Sequence, residues 1–434
     1  MKTVLVVGYA LSGKSAALLL NKNGYHVTVT DKGVITDKEY LESLGIQVYD
    51  QGHPDFLVET KWDFVVKNPG IKPNVDFIVN LVSRGNRIVS EIEVALMFAD
   101  KYKYAIVTGT NGKTTTTTLL YEMLNYNQKA LVGGNIGIPV SQLVLDNDNI
   151  EINAALELSS FQLDITPSIK PTVSVIMNLT PDHLDYYNSL TDYYLSKLRV
   201  FANQTEDQYF LLNLDDEVLL EMIKDIQVIA KTITFSTSKP ADLFIQDNKV
   251  FYKDIMLFNV SDLKIVGEHN VVNAMVASCM AYLMDIDVKT IQQVLKSFVG
   301  VKHRLQFVTK KNDILFYNDS KATNVESMVV GLKAFSKPVI VLAGGYDKKV
   351  GFDLLKDVLY NVKYMIAFGQ TKAMFKNIYP DTIVVENMDE AFNKAMMLAQ
   401  KDDIVLLSPG CASFDQFKNF EQRGDYFIEL VEKY

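Results

Sequence analysis

The stretch VLVVGYALSGKSAALLL, residues 4–20, joins an apolar run to a helix-length run through a glycine-containing turn. This order of strand, turn and helix is typical of the first unit of a parallel α/β sheet. The turn fits two phosphate-binding patterns, because residues 8–15 match the P-loop expression GxxxxGK[ST]. The spacing of Gly8 and Gly13, with Asp31 downstream, also comes close to the dinucleotide-binding fingerprint.

A second loop, VTGTNGKTTTTTLL at residues 107–120, also follows an apolar strand and opens a helix, but it is two residues shorter than the P-loop expression. Its glycines allow backbone N–H groups to face an anion, and the helix N-terminus adds a favourable dipole. Lys113 suits the β- and γ-phosphates of a nucleotide, and the Thr114 hydroxyl suits Mg²⁺. The competing interpretation is an ordinary turn with an incidental lysine.

Polar residues on the next strands favour the nucleotide interpretation. Glu157 lies inside the apolar run AALELSS, and buried carboxylates are rare unless they are paired or bound to metal. Asp182 and His183 follow another apolar run, SVIMN, at the strand end where open α/β sheets bind ligands. Asn135 lies in GGNIGIP. Each residue alone would be structural, but together with Lys113 they indicate a metal or phosphate site.

Strand and helix patterns alternate in three segments of the 434-residue chain, a length that suits two to four domains at about 100–200 residues each. The predicted fold is α/β with three domains: Rossmann-like over 1–98, P-loop-type mononucleotide-binding over 99–299, and Rossmann-like over 300–434. Within the central domain, the run ADLFIQDNKVFYKDIMLFN (241–259) predicts short antiparallel strands.

Composition excludes several classes of protein. A net charge of −9 argues against nucleic-acid binding, and two cysteines argue against a disulfide framework and fit a reducing cytoplasm. The first apolar run is shorter than the core of an export signal, and no apolar run approaches the roughly 18 residues of a membrane span. The composition predicts a cytoplasmic protein without a membrane span or a nucleic-acid partner.

The third segment carries NDSKATN, GGYDKK and SPGCASFDQFKNFEQRG, each after an apolar strand. Their residues Lys321, Thr323, Lys348 and Ser413 suit the binding of carboxylates or phosphates, and Arg304 could reach a phosphate. A solvated surface lysine is the simpler interpretation of any one of them. Convergence at three strand ends favours a site.

The central strings GTNGKTT, GNIGIP, ELSSFQL and NLTPDHLDYY occur in this order, and the whole chain resembles the Mur ligases, ATP-dependent amide-bond-forming enzymes of bacterial cell-wall synthesis. The third-segment strings resemble the branch of that family that adds D-glutamate. The resemblance implies that ATP phosphorylates the alanyl carboxylate of UDP-N-acetylmuramoyl-L-alanine. The D-glutamate amine then attacks the acyl phosphate, and ADP and phosphate are released, a step that serves cell shape and division.

The resemblance also assigns residues to each ligand. The UDP substrate is expected at Ser12, Gly13, Asp31, Gly70, Asn135 and His183. ATP is expected at Gly109, Thr110, Asn111, Gly112, Lys113, Thr114, Thr115, Asn270, Asn273, Arg304 and Asp319. D-glutamate is expected at Thr323, Lys348, Ser413 and Phe420. The catalytic set is expected to be Lys113, Glu157, His183, Lys197 and Lys321.

Two Mg²⁺ ions are implied, with Thr114 and Glu157 on one ion and Glu157 and His183 on the other. The family's carbamylated lysine maps onto Lys197, where carbon dioxide would turn a cation into an anionic ligand for the second ion. The sequence alone shows only an ordinary lysine on an amphipathic helix. The implied partners are small molecules, and the implied state is a monomer.

Four alternatives remain open. The first loop could serve an NAD-dependent dehydrogenase, or a kinase that uses Lys14, or the chain could bind nucleotide without catalysis. Within the family, another Mur ligase or a folylpolyglutamate synthetase-like amide ligase would use the same central loop. The dehydrogenase would leave the second loop and Glu157 without a role, and the strands beside the first loop offer no metal ligands. We therefore assign ATP to the second loop and UDP to the first. Lys14 is then expected to point into solvent.

Overall fold

The structure is a computed structural model that describes residues 2–147, 149–182, 186–187, 189–346 and 351–434. It contains two compact units. The first comprises Met1–Phe258 and Asn273–Val294, and the second comprises Asn259–Val272 and Leu295–Tyr434. Each unit is described by itself below.

The first unit begins with a parallel sheet in the order β3-β2-β1-β4-β5, which is the Rossmann-type order with its first strand central. Its strands are β1 (Thr3–Val7), β2 (His26–Thr30), β3 (Gln47–Tyr49), β4 (Phe64–Lys67) and β5 (Ile88–Val89). Its helices are α1 (Leu11–Lys22), α2 (Lys38–Ser43), α3 (Phe56–Glu59), α4 (Asp76–Ser83) and α5 (Glu91–Leu96). β1 is apolar and buried because helices cover both faces of such a sheet.

The turn between β1 and α1 needs glycine for a close backbone approach. A Cβ atom on Gly13 would lie 1.9 Å from the Gly8 carbonyl oxygen, and Gly8 itself has φ of 89°. The pairing of Gly8 with Gly13 therefore brings α1 close to the end of β1, as the dinucleotide fingerprint requires.

Gly13→Ala is expected to lower the free energy of unfolding by about 1–3 kcal/mol, because the methyl group would force the turn apart. The shift in the denaturation midpoint measures this loss. Gly351→Ala is the matched control, since the nearest atom to its added Cβ is 3.8 Å away. Equal midpoints for the two variants would contradict the close approach.

A second sheet in the first unit has the order β14-β13-β12-β11-β10-β9-β6-β8-β7. Its strands are β6 (Tyr102–Thr108), β7 (Ala130–Gly134), β8 (Ile152–Glu157), β9 (Val173–Ile176), β10 (Tyr209–Asn213), β11 (Lys231–Phe235), β12 (Leu243–Gln246), β13 (Lys249–Tyr252) and β14 (Ile255–Asn259). Each neighbouring pair from β12 through β11, β10, β9, β6 and β8 to β7 is parallel, whereas β12 and β13 pair antiparallel. The predicted change of character within 241–259 is confirmed at this pair.

The helices that accompany this sheet are α6 (Lys113–Asn125), α7 (Val140–Asp146), α8 (Ser160–Leu163), α9 (Leu190–Leu198) and α10 (Glu217–Ile223). Of α11 (Glu268–Leu283) and α12 (Val288–Ser297), only the part within Asn273–Val294 belongs to the first unit. Buried polar contacts join the two sheets within the first unit. The Glu91 carboxylate on α5 accepts from the Ser141 backbone N–H at 2.8 Å and from the Ser141 hydroxyl at 2.7 Å, at the start of α7. A buried carboxylate is tolerated there because helix N-terminal N–H groups compensate its charge.

The second unit contains a sheet in the order β15-β16-β20-β17-β18-β19, in which β15 and β16 pair antiparallel and the other strands pair in parallel. Its strands are β15 (Gln306–Lys311), β16 (Ile314–Asn318), β17 (Val339–Gly344), β18 (Val362–Phe368), β19 (Ile383–Val384) and β20 (Ile404–Leu407). Its helices are α13 (Val325–Lys333), α14 (Lys372–Ile378), α15 (Met388–Leu398) and α16 (Phe420–Lys433).

The three strings of the third segment begin at the carboxyl ends of β16, β17 and β20, which are neighbours in this sheet. The prediction that they share one edge is confirmed. In the part of the chain that the structure describes, no helix is both long and apolar enough to cross a membrane.

Candidate functional site

The central glycine loop, residues 109–112, connects β6 to α6. Gly109 and Gly112 have φ of 137° and 83°, which side chains rarely adopt, and Gly112 caps α6. Lys113 is the first residue of α6, and its ammonium donates to the Gly109 and Thr110 carbonyls at 2.9 and 2.8 Å. The lysine therefore curls over the loop, with its charge where phosphate oxygens bind in such loops.

Glu157 ends β8, the strand next to β6, and its side chain is 2% exposed. One carboxylate oxygen accepts from the Asn135 side-chain amide at 2.8 Å. The other, Oε2, is buried and has no hydrogen-bond partner among the described residues. A buried carboxylate oxygen without a partner is costly, and metal binding is a usual explanation for one.

Lys197 on α9 is also buried, at 2% exposed. Its ammonium donates to the Gly109 carbonyl at 2.9 Å, the carbonyl that Lys113 also contacts, and it lies 4.7 Å from the Tyr193 ring centroid. Burial, and then the charge of Lys113, lower the pKa of Lys197 to about 7. A buried lysine with this pKa has a substantial fraction of its amine neutral, and so nucleophilic, near pH 7.

The rest of the predicted metal set is only partly described. Thr114 lies in the first turn of α6, beside the loop, and its side chain is half-buried. His183 lies outside the described residues. Among the residues that the structure does describe, no group of three His, Cys, Asp or Glu side chains could hold a metal ion.

Asn273 on α11 contacts the same loop within the first unit. Its side-chain oxygen lies 3.3 Å from the Thr116 hydroxyl, and a Cβ atom on Gly112 would come within 2.6 Å of it. Thr115 is buried in the first turn of α6. Asn270 belongs to the second unit, where its amide donates to the Val266 carbonyl at 2.7 Å.

The first glycine turn borders a cavity of about 470 Å³. Asp31 lines it, and this carboxylate accepts from the backbone N–H groups of Tyr9 at 2.6 Å and Gly33 at 2.7 Å. Ser12 and Gly13 lie in the first turn of α1. Gly70 lies in the exposed turn after β4, where its N–H donates to Asn68.

Lys14, expected to point into solvent, lines the same cavity and is partly exposed. Its ammonium forms an ion pair with Asp37 at 2.5 Å, and its side chain is 42% exposed. The Tyr9 hydroxyl donates to the same carboxylate oxygen at 3.1 Å. The sequence pattern could not show this, because Asp37 lies beyond β2, on a segment that only the fold brings to α1.

In the second unit, Asp319 follows β16 and is 5% exposed. It accepts from the Ser408 hydroxyl at 2.8 Å and from the Leu305 N–H at 3.1 Å. Burial raises the pKa of Asp319 to about 7, although these hydrogen bonds and the charge of nearby Arg304 oppose the rise. Asp319 and Arg304 therefore interact electrostatically within the second unit.

The described residues predicted for D-glutamate, Thr323, Ser413 and Phe420, lie in the second unit, as does Lys321. The Lys321 ammonium sits 4.0 Å from the Phe420 ring centroid, a cation–π contact. Ser413 is buried and Thr323 half-buried, in the loops after β20 and β16. Lys348 lies outside the described residues.

Two family models match this chain. The Mur ligase middle domain matches residues 107–281, and the Mur ligase glutamate ligase domain matches residues 303–411. The UDP-N-acetylmuramoylalanine–D-glutamate ligase of Bacillus cereus (strain G9842) is 41% identical over 443 residues, covering 100% of this chain and 98% of the relative. The chain belongs to the Mur ligase family.

A second relative of this Mur ligase is the UDP-N-acetylmuramoylalanine–D-glutamate ligase of Staphylococcus aureus (strain MSSA476). It is 38% identical over an alignment that covers 99% of this chain and 96% of the relative. The crystal structure of UDP-N-acetylmuramate-alanine ligase from Thermotoga maritima has a TM-score of 0.61 at 19% identity, covering 100% of both chains. The three-domain α/β fold predicted from the sequence is confirmed.

Sequence reasoning missed the residue that holds the nucleotide loop of this Mur ligase. The Asn178 side chain accepts from the Asn111 N–H at 2.9 Å and donates to the Asn111 carbonyl at 3.1 Å. Its backbone carbonyl also accepts from the Thr110 N–H at 3.0 Å. The string NLTPDH contains Asn178, but nothing in the string indicates that an asparagine 67 residues away completes the loop.

Arg423 was missed as well. It is fully buried, and its guanidinium donates to the Ser320 hydroxyl and carbonyl and to the carbonyls of Cys411 and Ala412, at 2.9–3.2 Å. The planar donor set of arginine suits this bridging between two loops. Arg423 therefore positions the loops that carry Lys321 and Ser413. The signal available in the sequence was that Arg423 shares helical spacing with Phe427 and Val431, on the buried face of α16.

Proposed function

We propose that this Mur ligase uses ATP to join D-glutamate to UDP-N-acetylmuramoyl-L-alanine. The observation that carries the proposal is the glycine loop with Lys113, set beside a buried carboxylate on the next strand. The identity to named D-glutamate ligases over the full chain supports the choice of amino acid. The product is the next precursor of peptidoglycan, made from small molecules in the cytoplasm.

A carboxylate reacts poorly with amines, because its leaving group would be oxide. Transfer of the γ-phosphoryl group of ATP to the alanyl carboxylate gives an acyl phosphate, whose carbon the D-glutamate amine attacks, and phosphate leaves. Two anions must meet in the first step, so the site needs positive charge between them. Lys113 supplies that charge from the loop, and Asn135 orients the carboxylate.

The site fits Mg²⁺, since Glu157 Oε2 is a buried oxygen without a partner among the described residues. Thr114 and Glu157 are proposed to hold one ion, and Glu157, His183 and carbamylated Lys197 the other. Bound Mg²⁺ would neutralise phosphate charge. ATP dependence is shared by the family, whereas the two ions are part of our proposal.

The remaining ligand assignments are also proposals. The uridine diphosphate would contact Ser12, Gly13, Asp31 and Gly70, and the nucleotide would contact the 109–115 loop with Asn270, Asn273, Arg304 and Asp319. Thr323, Lys348, Ser413 and Phe420 would bind D-glutamate, and Lys321 would assist the phosphoryl group. We propose domains at 1–98, 99–299 and 300–434 and a monomeric enzyme.

Glu157→Gln is expected to raise the Mg²⁺ concentration at half-maximal velocity by at least about tenfold, the lower end of losses for groups around metal sites. Glutamine keeps the size of the side chain and an acceptor for Asn135, but removes the charge. A Mg²⁺ titration of the rate measures the shift, and Glu221→Gln on the exposed surface is the control. An unchanged Mg²⁺ requirement would contradict the metal role.

Phosphate release with ATP, UDP-N-acetylmuramoyl-L-alanine and a panel of amino acids tests the function. We expect release that requires D-glutamate and is absent with L-glutamate, L-lysine or L-alanine. Release with L-alanine or L-lysine equal to that with D-glutamate would overturn the proposal. Mass spectrometry of the product confirms that an amide has formed.

A further inference from the structure

We propose that Lys14 is a specificity-determining residue that exchanges Asp37 for the diphosphate of the UDP-linked substrate. This inference rests on the proposed function, because it assumes that the uridine nucleotide binds at the first glycine turn. It assigns a role to the lysine that gives this turn its accidental match to the P-loop expression.

The geometry places a cation at the edge of the cavity. Lys14 lies in the first turn of α1, directly after Gly13, and its ammonium reaches Asp37 at 2.5 Å. Both side chains are partly exposed, at 42% and 26%. An exposed lysine–carboxylate pair contributes little net free energy, so a stronger anion can displace its carboxylate.

The charged side chains that line the cavity favour the transfer of Lys14 from Asp37 to a bound diphosphate. Among the described residues that line it, Lys14 is the only lysine or arginine, and Asp31 and Asp37 are the only acids. The two oxygens of Asp31 already accept backbone N–H groups of the surrounding turns. A diphosphate that enters beside two carboxylates needs a cation, and Lys14 is the one available in this lining.

Asp37 remains satisfied after the exchange. The Tyr9 hydroxyl still donates to its carboxylate at 3.1 Å, so the loss of Lys14 does not leave it without a partner. The diphosphate as a whole carries two negative charges against one on the carboxylate, and its oxygens are strong acceptors, which favours the new pair. In the absence of ligand, Asp37 therefore holds the Lys14 ammonium at the edge of the cavity, close to where we propose that the diphosphate binds.

Equilibrium binding of uridine and UDP to the full-length enzyme, without ATP, tests the inference. The wild type is expected to prefer UDP over uridine, and Lys14→Met should reduce that preference by about tenfold, the value of one charged hydrogen bond. Uridine affinity should not change. Lys14→Arg should keep the preference, and Asp37→Asn should increase UDP affinity, because it removes the competing carboxylate.

An equal loss of uridine and UDP affinity in Lys14→Met would show that the lysine only shapes the cavity, and this would overturn the inference. Unchanged binding of both ligands would also overturn it, since Lys14 would then be a solvated residue. If the wild type binds neither UDP nor uridine, the proposed function of the first turn fails as well. Thermal melting of each variant confirms that it is folded.

Discussion

Lys113→Met is expected to reduce kcat by about 10³-fold, the scale of losing one preorganised charge at a reacting phosphate. Methionine keeps the length and apolar character of the side chain, so the loop between β6 and α6 should persist. The lost ammonium is the group that donates to the Gly109 and Thr110 carbonyls, and we propose that it contacts the phosphates of ATP. Phosphate release at saturating substrates measures the effect.

The control is Lys224→Met, because Lys224 pairs only with exposed Glu221 on α10 among the contacts that the structure describes. A second comparison tests the rival kinase hypothesis, in which the first loop binds ATP. That hypothesis predicts that Lys14→Met abolishes ATP turnover, whereas we expect turnover to continue once the UDP substrate saturates the enzyme. A fully active Lys113→Met would refute the assignment of ATP to the second loop.

Lys197→Ala is expected to lose nearly all ligase activity, and a short carboxylic acid such as acetate should restore part of it. The alanine variant removes the proposed carbamate and leaves a small space in which an added carboxylate can act as the anionic ligand. The position suits this chemistry, since the Lys197 amine is buried beside the nucleotide loop and its pKa is about 7. Only the neutral amine attacks carbon dioxide, so carbamate formation should weaken as the pH falls below that value.

Carbon-13 NMR with labelled bicarbonate provides a readout independent of turnover. We expect a carbamate signal in the wild type and none in Lys197→Ala. Lys296→Ala, on the exposed face of α12, is the matched control and should keep the signal. Full activity of Lys197→Ala, or a dead variant that no carboxylate rescues, would count against the carbamate.

The sequence predicted the parallel sheets because buried strands carry continuous apolar runs, and glycine turns mark where each strand passes into a helix. Local pattern also identified Lys113 and Glu157, since a lysine after a glycine loop and a carboxylate inside an apolar strand are both unusual. Family resemblance, and not periodicity, singled out Lys197 and Phe420. Their local surroundings look like ordinary helix and loop sequence.

The tertiary structure decided which groups contact one another. Asn178 accepts a hydrogen bond from the Asn111 N–H, Arg423 bonds the loops after β16 and β20, and Lys14 forms an ion pair with Asp37. The partners in each contact are far apart along the chain. The sequence by itself determined the α/β class and the positions of the two glycine turns, because those depend on residues that are neighbours along the chain. Side-chain pairing was decided only by the fold, because hydrogen bonds and ion pairs depend on distances in space that burial and strand order set.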